Sequence, residues 1–173
     1  MQDESRKFDK PRSMTCCVAG HRKLPDDKAG WVKQELRREV EQAIEDGYLY
    51  FVTDFMEGTD QLFAEVVKEI REEASSGGEE NKLRLEAALP YRGWVAKLMD
   101  NEKTKPLVAA CTDIGVLAEK YSPGCYMACR RVQLKRSSRM IAVYDGQGEG
   151  GTVKAIRMAH AQQVSVRIIS LDR

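Results

Sequence analysis

No stretch of this chain is apolar for long enough to cross a bilayer, which takes about 20 consecutive apolar residues, so a membrane partner is not expected. Charge of one sign is also missing: 28 Lys and Arg stand against 27 Asp and Glu, a net charge of +1. A protein that mainly follows a nucleic-acid backbone carries a strong basic excess, so this balance disfavours nucleic acid as a partner. The five cysteines lack the paired spacing of a zinc ribbon, and no metal or cofactor is expected. Cys16 and Cys17 are adjacent in an apolar run and should point to opposite faces of a strand, while Cys125 and Cys129 share one helix face. They read as reduced thiols of a cytoplasmic protein. The first residues are polar, with no hydrophobic signal segment, so residues 1–13 are expected to be a disordered tail and 14–173 one domain. No internal repeat and no second domain is visible.

What is present is alternation. Short apolar runs at 14–19, 48–53, 83–89, 114–118, 139–144 and 164–171 are strand candidates. Between them lie segments of helical period. Val32, Leu36, Val40 and Ala43 recur every three or four residues, with Asp26 and Asp27 as caps and Gly47 as a stop. Leu62, Val66 and Ile70 mark a second helix, fading into a solvated tip at 75–80. Trp94, Val95, Leu98 and Met99 mark a third; Ser122-Pro123 reads as a helix start, and a last helix spans about 152–161. Trp94, Met99 and Met158 read as core, and His160 as a surface group late in its helix. This order predicts a Rossmann-like α/β three-layer sandwich with a mostly parallel sheet. Ligands of such sheets bind beyond the carboxyl ends of the strands, where the strand order reverses.

The residues after each strand are therefore the candidates. Gly20-His21-Arg22 offers a close backbone approach and a guanidinium fork for phosphate or carboxylate. The next loop, from Thr53 through Glu57, Gly58, Thr59 and Asp60, leads into a helix N-terminus, and its carboxylates suit ribose hydroxyls better than bare phosphate. Asp145 opens a run containing Gly146, Gly148, Gly150 and Gly151 before Thr152, a strand–glycine–helix context that can cradle an anion, with Thr152 as cap. The basic stripe Arg130, Arg131, Lys135, Arg136 and Arg139 reads as a solvated helix face, with Arg131 and Lys135 on one side and Arg130 offset.

Taken in order, these residues resemble the SLOG-domain proteins of the YpsA-like type. The similarity is carried by 15–22, by Gly58-Thr59-Asp60, and by Leu89-Pro90-Tyr91 with Trp94. It continues in Tyr121-Ser122-Pro123-Gly124-Cys125 with Arg130, and in 141–146 ahead of Gly150-Gly151-Thr152. The resemblance implies a Rossmann-like fold and a pocket for nucleotides or their derivatives. The wider superfamily includes the Lonely Guy phosphoribohydrolases, a DNA-processing family and bacterial anti-phage sensors of NAD-derived signals. The chain departs from the family pattern in Thr53-Asp54 for Ser-Gly, in Arg130-Arg131 for Arg-Asn, and in Lys135 and Ser138 for two acidic positions. Ala155 stands where the Lonely Guy motif has its glutamate.

The reading that follows is a protein that senses or sequesters a phosphate-bearing, nucleotide-derived small molecule, such as an NAD- or ADP-ribose-derived or cyclic nucleotide signal. Gly150, Gly151 and Thr152 would hold phosphate with Arg22 and Arg130 or Arg131; Glu57 and Asp60 would meet ribose; Tyr91, Trp94 or Tyr121 would stack on a base. Gly20, His21, Thr53, Gly58, Pro90 and Asp145 complete the expected lining. The alternative is a nucleotide N-glycosidic-bond hydrolase with Asp145, Glu57 or Asp60 as acid or base. A DNA-processing accessory is disfavoured by the charge balance. A homo-oligomer is expected.

Overall fold

The computed structural model describes residues 10–78 and 81–172. Its strands are β1 (Thr15–Gly20), β2 (Tyr50–Thr53), β3 (Arg84–Leu89), β4 (Asp113–Val116), β5 (Arg139–Tyr144) and β6 (Ser165–Ser170). The helices are α1 (Ala29–Glu45), α2 (Thr59–Ser75), α3 (Arg92–Asp100), α4 (Lys105–Ala109), α5 (Cys125–Arg136) and α6 (Gly151–Ala161). All strands pair in parallel, in the order β4-β3-β2-β1-β5-β6. The expected Rossmann-like α/β sandwich is the observed fold. The order reverses between β1 and β5, so the chain opens a crevice beyond Gly20 and Tyr144.

Alternation along the strands feeds two cores. Cys16, Val18, Phe51, Leu85 and Ile141 face α1 to α4, whose Val32, Leu36, Phe63, Val67, Leu98 and Leu107 close that side. Cys17, Ala19, Val52, Ala88 and Ala142 face α5 and α6 through Cys129, Leu134, Ile156 and Ala159. The adjacent cysteines thus part to opposite faces, and all five cysteines are free thiols. Among the described residues no helix is long and apolar enough to cross a membrane.

The helix ends differ from the sequence expectation where turns intervene. Asp26 and Asp27 do not cap α1; the Pro25 carbonyl accepts from the N–H groups of Lys28 and Ala29, and the helix starts one turn later. Gly47 does stop it, with φ +98° and with Tyr48 N–H bonded back to Ala43 O. Ser122-Pro123 is likewise a turn, since Ser122 O accepts from Cys125 N–H before α5 begins. The short α4 was not expected, and Met99 is partly exposed rather than core, at 38%. Of the expected tail, residues 1–9 lie outside the described residues. Its last part is docked: Arg12–Met14 form a 3-10 turn, and the Arg12 guanidinium donates to Ser137 O (3.0 Å) and Gln162 O (2.9 Å). In the expected solvated tip, residues 76–78 form a turn and 79–80 lie outside the described residues.

One buried group on the sheet has a pH signature. Glu86, on β3, is 2% exposed, and its Oε1 has no hydrogen-bond partner among the described residues. Burial first, and repulsion from Asp113 second, push its carboxyl up to about 7, against the pull of Lys10 and Arg136. An acid whose folded pKa is raised holds its proton longer in the native state. Its contribution is full below the unfolded pKa of about 4.3 and is lost as pH climbs through about 7. Glu86→Gln is therefore expected to flatten the fall in stability between those limits, gaining up to about 3 kcal/mol over the parent at pH 8. Urea unfolding at pH 5 and pH 8 checks it; parallel pH profiles for the two proteins would contradict it.

Candidate functional site

The site is assembled where β1 and β5 part. After β1 the chain turns through His21 and Arg22, and this turn is clamped to the start of α2. Gly58 takes φ +77°, and a Cβ there would lie 2.4 Å from Arg22 O and 2.5 Å from His21 O. Thr59 closes the clamp, donating to His21 O from both its N–H (3.2 Å) and its Oγ1 (3.1 Å). Gly20 is required by the same junction, because a Cβ on it would meet the Thr59 side chain at 2.3 Å. The Gly20 and Gly58 glycines thus serve backbone-to-helix packing, and the Thr59 N–H is spent on a carbonyl rather than turned to an anion.

The β2 loop is held as firmly. Phe55 has φ +61°, rare for a residue with a side chain, and is buried. Its N–H donates to Thr53 Oγ1 (3.1 Å), and that of Met56 to Asp54 Oδ1 (3.1 Å). The Trp94 indole N–H donates to Asp54 O at 2.8 Å, so Trp94 braces this loop from outside the cleft lining. Glu57 points to solvent outside the cleft lining, and Pro90 is buried.

A cleft of about 320 Å³ results, lined from the β1 side by Gly20, His21 and Arg22, from the β2 side by Asp54, Met56 and Asp60, and from α5 and α6 by Tyr126, Met127, Arg130, Gly151, Thr152, Ala155 and Met158. On its floor Asp60 is only 5% exposed, yet its Oδ1 has no hydrogen-bond partner among the described residues. Burial, then repulsion from and hydrogen bonding with Asp54, hold the Asp60 carboxyl well above the usual range, while Arg130 and Arg22 pull the other way. Arg130 reaches the same floor, its Nη1 donating to Val18 O (2.6 Å) and Gln133 Oε1 (2.9 Å). Despite its burial, the two aspartates keep its guanidinium firmly charged.

At the β5 side, His21 Nε2 lies 3.2 Å from Asp145 N and 3.3 Å from Asp145 Oδ1, tying the two strand ends together across the switch point. Asp145 Oδ1 also accepts from Gln147 N–H at 3.0 Å, which starts the glycine-rich turn. Gly150 precedes α6 with φ +112°, and no side chain among the described residues caps the helix; Thr152 is its second residue and buried, not its cap. A Cβ on Gly151 would meet nothing within 4 Å among the described residues. The fold does not require glycine there, and its free amide end lies at the cleft.

Of the basic stripe, only Arg130 lines the cleft. Arg131 and Lys135 share the exposed face of α5, and Arg139 pairs with Asp46 at 2.9 Å. Tyr91 and Tyr121 stand at the rim, in edge contact with each other at 5.6 Å. Asp54, Met56, Tyr126, Met127 and Met158 are lining residues that sequence reasoning did not single out as a site. The first follows β2, where such residues are sought. Tyr126 and Met127 lie four and three residues before Arg130 on α5, a spacing that puts them on its face. Among the described residues no three His, Cys, Asp or Glu side chains converge as a metal site would.

No curated protein matches the chain. Among solved structures, DNA processing protein A from Helicobacter pylori, described with a single-stranded DNA binding mode, shares this fold at a TM-score of 0.63 and 15% identity, over 98% of this chain and 71% of that one. That likeness corrects the expectation that charge balance disfavours a nucleic-acid partner. A protein of this fold binds single-stranded DNA, and a chain of +1 net charge still gathers Arg22 and Arg130 in one cleft. Local potential, not the sum over the surface, decides what a cleft attracts. The model of the YspA SLOG family matches residues 17–172, nearly the whole domain, and the chain belongs to that family.

Proposed function

We propose that the cleft binds a phosphate-bearing nucleotide unit and holds it without cleaving it. The observation that carries this reading is the floor: a buried carboxyl group, Asp60, whose Oδ1 has no partner among the described residues, lines one cleft with Arg130 and the uncapped start of α6. Phosphate is drawn to the amides of Gly151 and Thr152 and to the cations Arg22 and Arg130. Asp60 Oδ1, without a donor among the described residues, accepts from a ribose hydroxyl, which also relieves the cost of an unpaired buried oxygen. Ala155 lines the cleft beside the phosphate seat, and its methyl group can neither give nor take a proton. That favours sensing or sequestering over hydrolysis. Free mononucleotides, ADP-ribose and cyclic ADP-ribose are the ligands to try first. A second reading, single-stranded nucleic acid entering the same cleft, is favoured by what the Helicobacter pylori protein is described as binding.

The two neighbouring arginines test the proposal. Arg130→Ala should weaken AMP or ADP-ribose binding by about 1.5–3 kcal/mol, the range for hydrogen bonds to charged groups. Arg131→Ala, on the exposed face, should leave it unchanged. Calorimetric titration of both variants, each shown folded by circular dichroism, gives the comparison. Equal effects, or an effect from Arg131 alone, would move the site.

A further inference from the structure

We propose that Tyr91, Tyr121 and Tyr126 form a second base-stacking subsite, so that the ligand with one nucleotide in the cleft carries a second nucleobase, joined through phosphate, on the Tyr121 ring. This rests on the reading of the cleft as a nucleotide site.

The three rings form one cluster. Tyr91 meets Tyr121 edge-on at 5.6 Å and Tyr126 edge-on at 6.4 Å, and Tyr121 meets Tyr126 at 6.1 Å. Tyr126 belongs to the cleft wall, whereas Tyr121 lies beyond the lining and is 58% exposed. A ring left that open adds little to the core, and its outer face is free to take a stacking partner. Arg22 joins the two regions: it lines the cleft, and its guanidinium sits 5.3 Å over the Tyr126 ring. A phosphate linking two nucleosides would meet this cation midway between cleft and platform.

The chain just ahead of Tyr121 is also tied to the sheet and to α3. The segment leading to Tyr121 is pinned to the sheet by Leu117 N–H to Leu89 O (2.9 Å) and to α3 by Arg92 N–H to Ala118 O (3.0 Å). The Arg92 guanidinium grips Glu119 with two bonds of 2.9 and 2.8 Å. Beneath Tyr91 the chain has Gly93, where a Cβ would crowd the ring at 3.1 Å. Rings already packed against one another lose less entropy on stacking than a lone side chain, and stacking tolerates any base because every base has a π-face. The cleft, at about 320 Å³, is at the small end of ligand pockets; it suits one nucleotide and leaves a second outside, over Tyr121.

Titration of the full chain with AMP, with the 5′-phosphorylated adenosine dinucleotide, and with a short single-stranded oligodeoxyadenylate tests this. The dinucleotide should bind the parent protein roughly ten- to a hundredfold more tightly than AMP. Tyr121→Ala should remove that advantage while leaving AMP affinity unchanged, and Tyr121→Phe, which keeps the ring, should retain it. An oligonucleotide tighter than the dinucleotide assigns the platform to the end of a single strand; equal affinities assign it to a free dinucleotide. AMP binding with no dinucleotide advantage, or an advantage that survives Tyr121→Ala, overturns the stacking subsite alone. Failure of the parent protein to bind any of the three overturns it together with the reading of the cleft.

Discussion

Gly151→Val should fold as the parent does and lose at least a hundredfold in affinity for AMP-like ligands. The two halves of this expectation have separate causes. Gly151 needs no positive φ, and a Cβ on it meets nothing within 4 Å among the described residues, so neither backbone strain nor a clash opposes the substitution. Its place at the first turn of α6 also puts the new side chain at the cleft, over the amides proposed to receive phosphate. Several charge-assisted hydrogen bonds would be blocked together, at about 1.5–3 kcal/mol each. Calorimetry against AMP, ADP-ribose and cyclic ADP-ribose, beside a thermal melt, reads both halves. Unchanged affinity in a folded variant would put the phosphate elsewhere.

Gly58→Ala should have the opposite profile, a large loss of stability. Its φ of +77° disfavours any side chain, and the added carbon would press on the carbonyls of His21 and Arg22, backbone atoms that cannot swing aside. Strain of about 1–3 kcal/mol and overpacking of about 1–3 kcal/mol combine to roughly 2–6 kcal/mol. For a domain of this size that is a fall in Tm on the order of 5–20 °C. Gly47→Ala is the control: its φ is +98°, but a Cβ there meets nothing within 4 Å among the described residues. It should show the torsional part alone, so a melt in which the two variants fall equally would deny the clamp between β1 and α2.

The sequence made the sheet legible because burial on both faces writes each strand as an apolar run. β5 carries this furthest, matching its expected bounds of 139–144. The five-residue α4 escaped notice because it is too short to show a helical period and contains Pro106. Helix starts at Asp26-Asp27 and Ser122-Pro123 misled for a different reason: turn residues and capping residues are the same chemical types. The crevice was legible from topology, since strand ends collect the residues that follow them. Which of these residues face one another was not. Trp94 bonds through its indole N–H to Asp54 O, 40 positions away in sequence, and lies outside the cleft lining. Gly20 lines the cleft, yet its lack of a side chain is required by Thr59, a contact that no local sequence pattern announces. Arg130 and Arg131 are adjacent and chemically identical, and only the packing of α5 decides that one enters the cleft.

The central claim, that the cleft seats a nucleotide with its phosphate at the start of α6, is tested most directly by a crystal structure of the protein grown with AMP. The phosphate should lie within hydrogen-bond distance of the amides of Gly151 and Thr152 and of the Arg130 guanidinium, with a ribose hydroxyl on Asp60 Oδ1. Nucleotide bound outside the cleft, or a phosphate away from α6 with Asp60 Oδ1 still unpartnered, would contradict it.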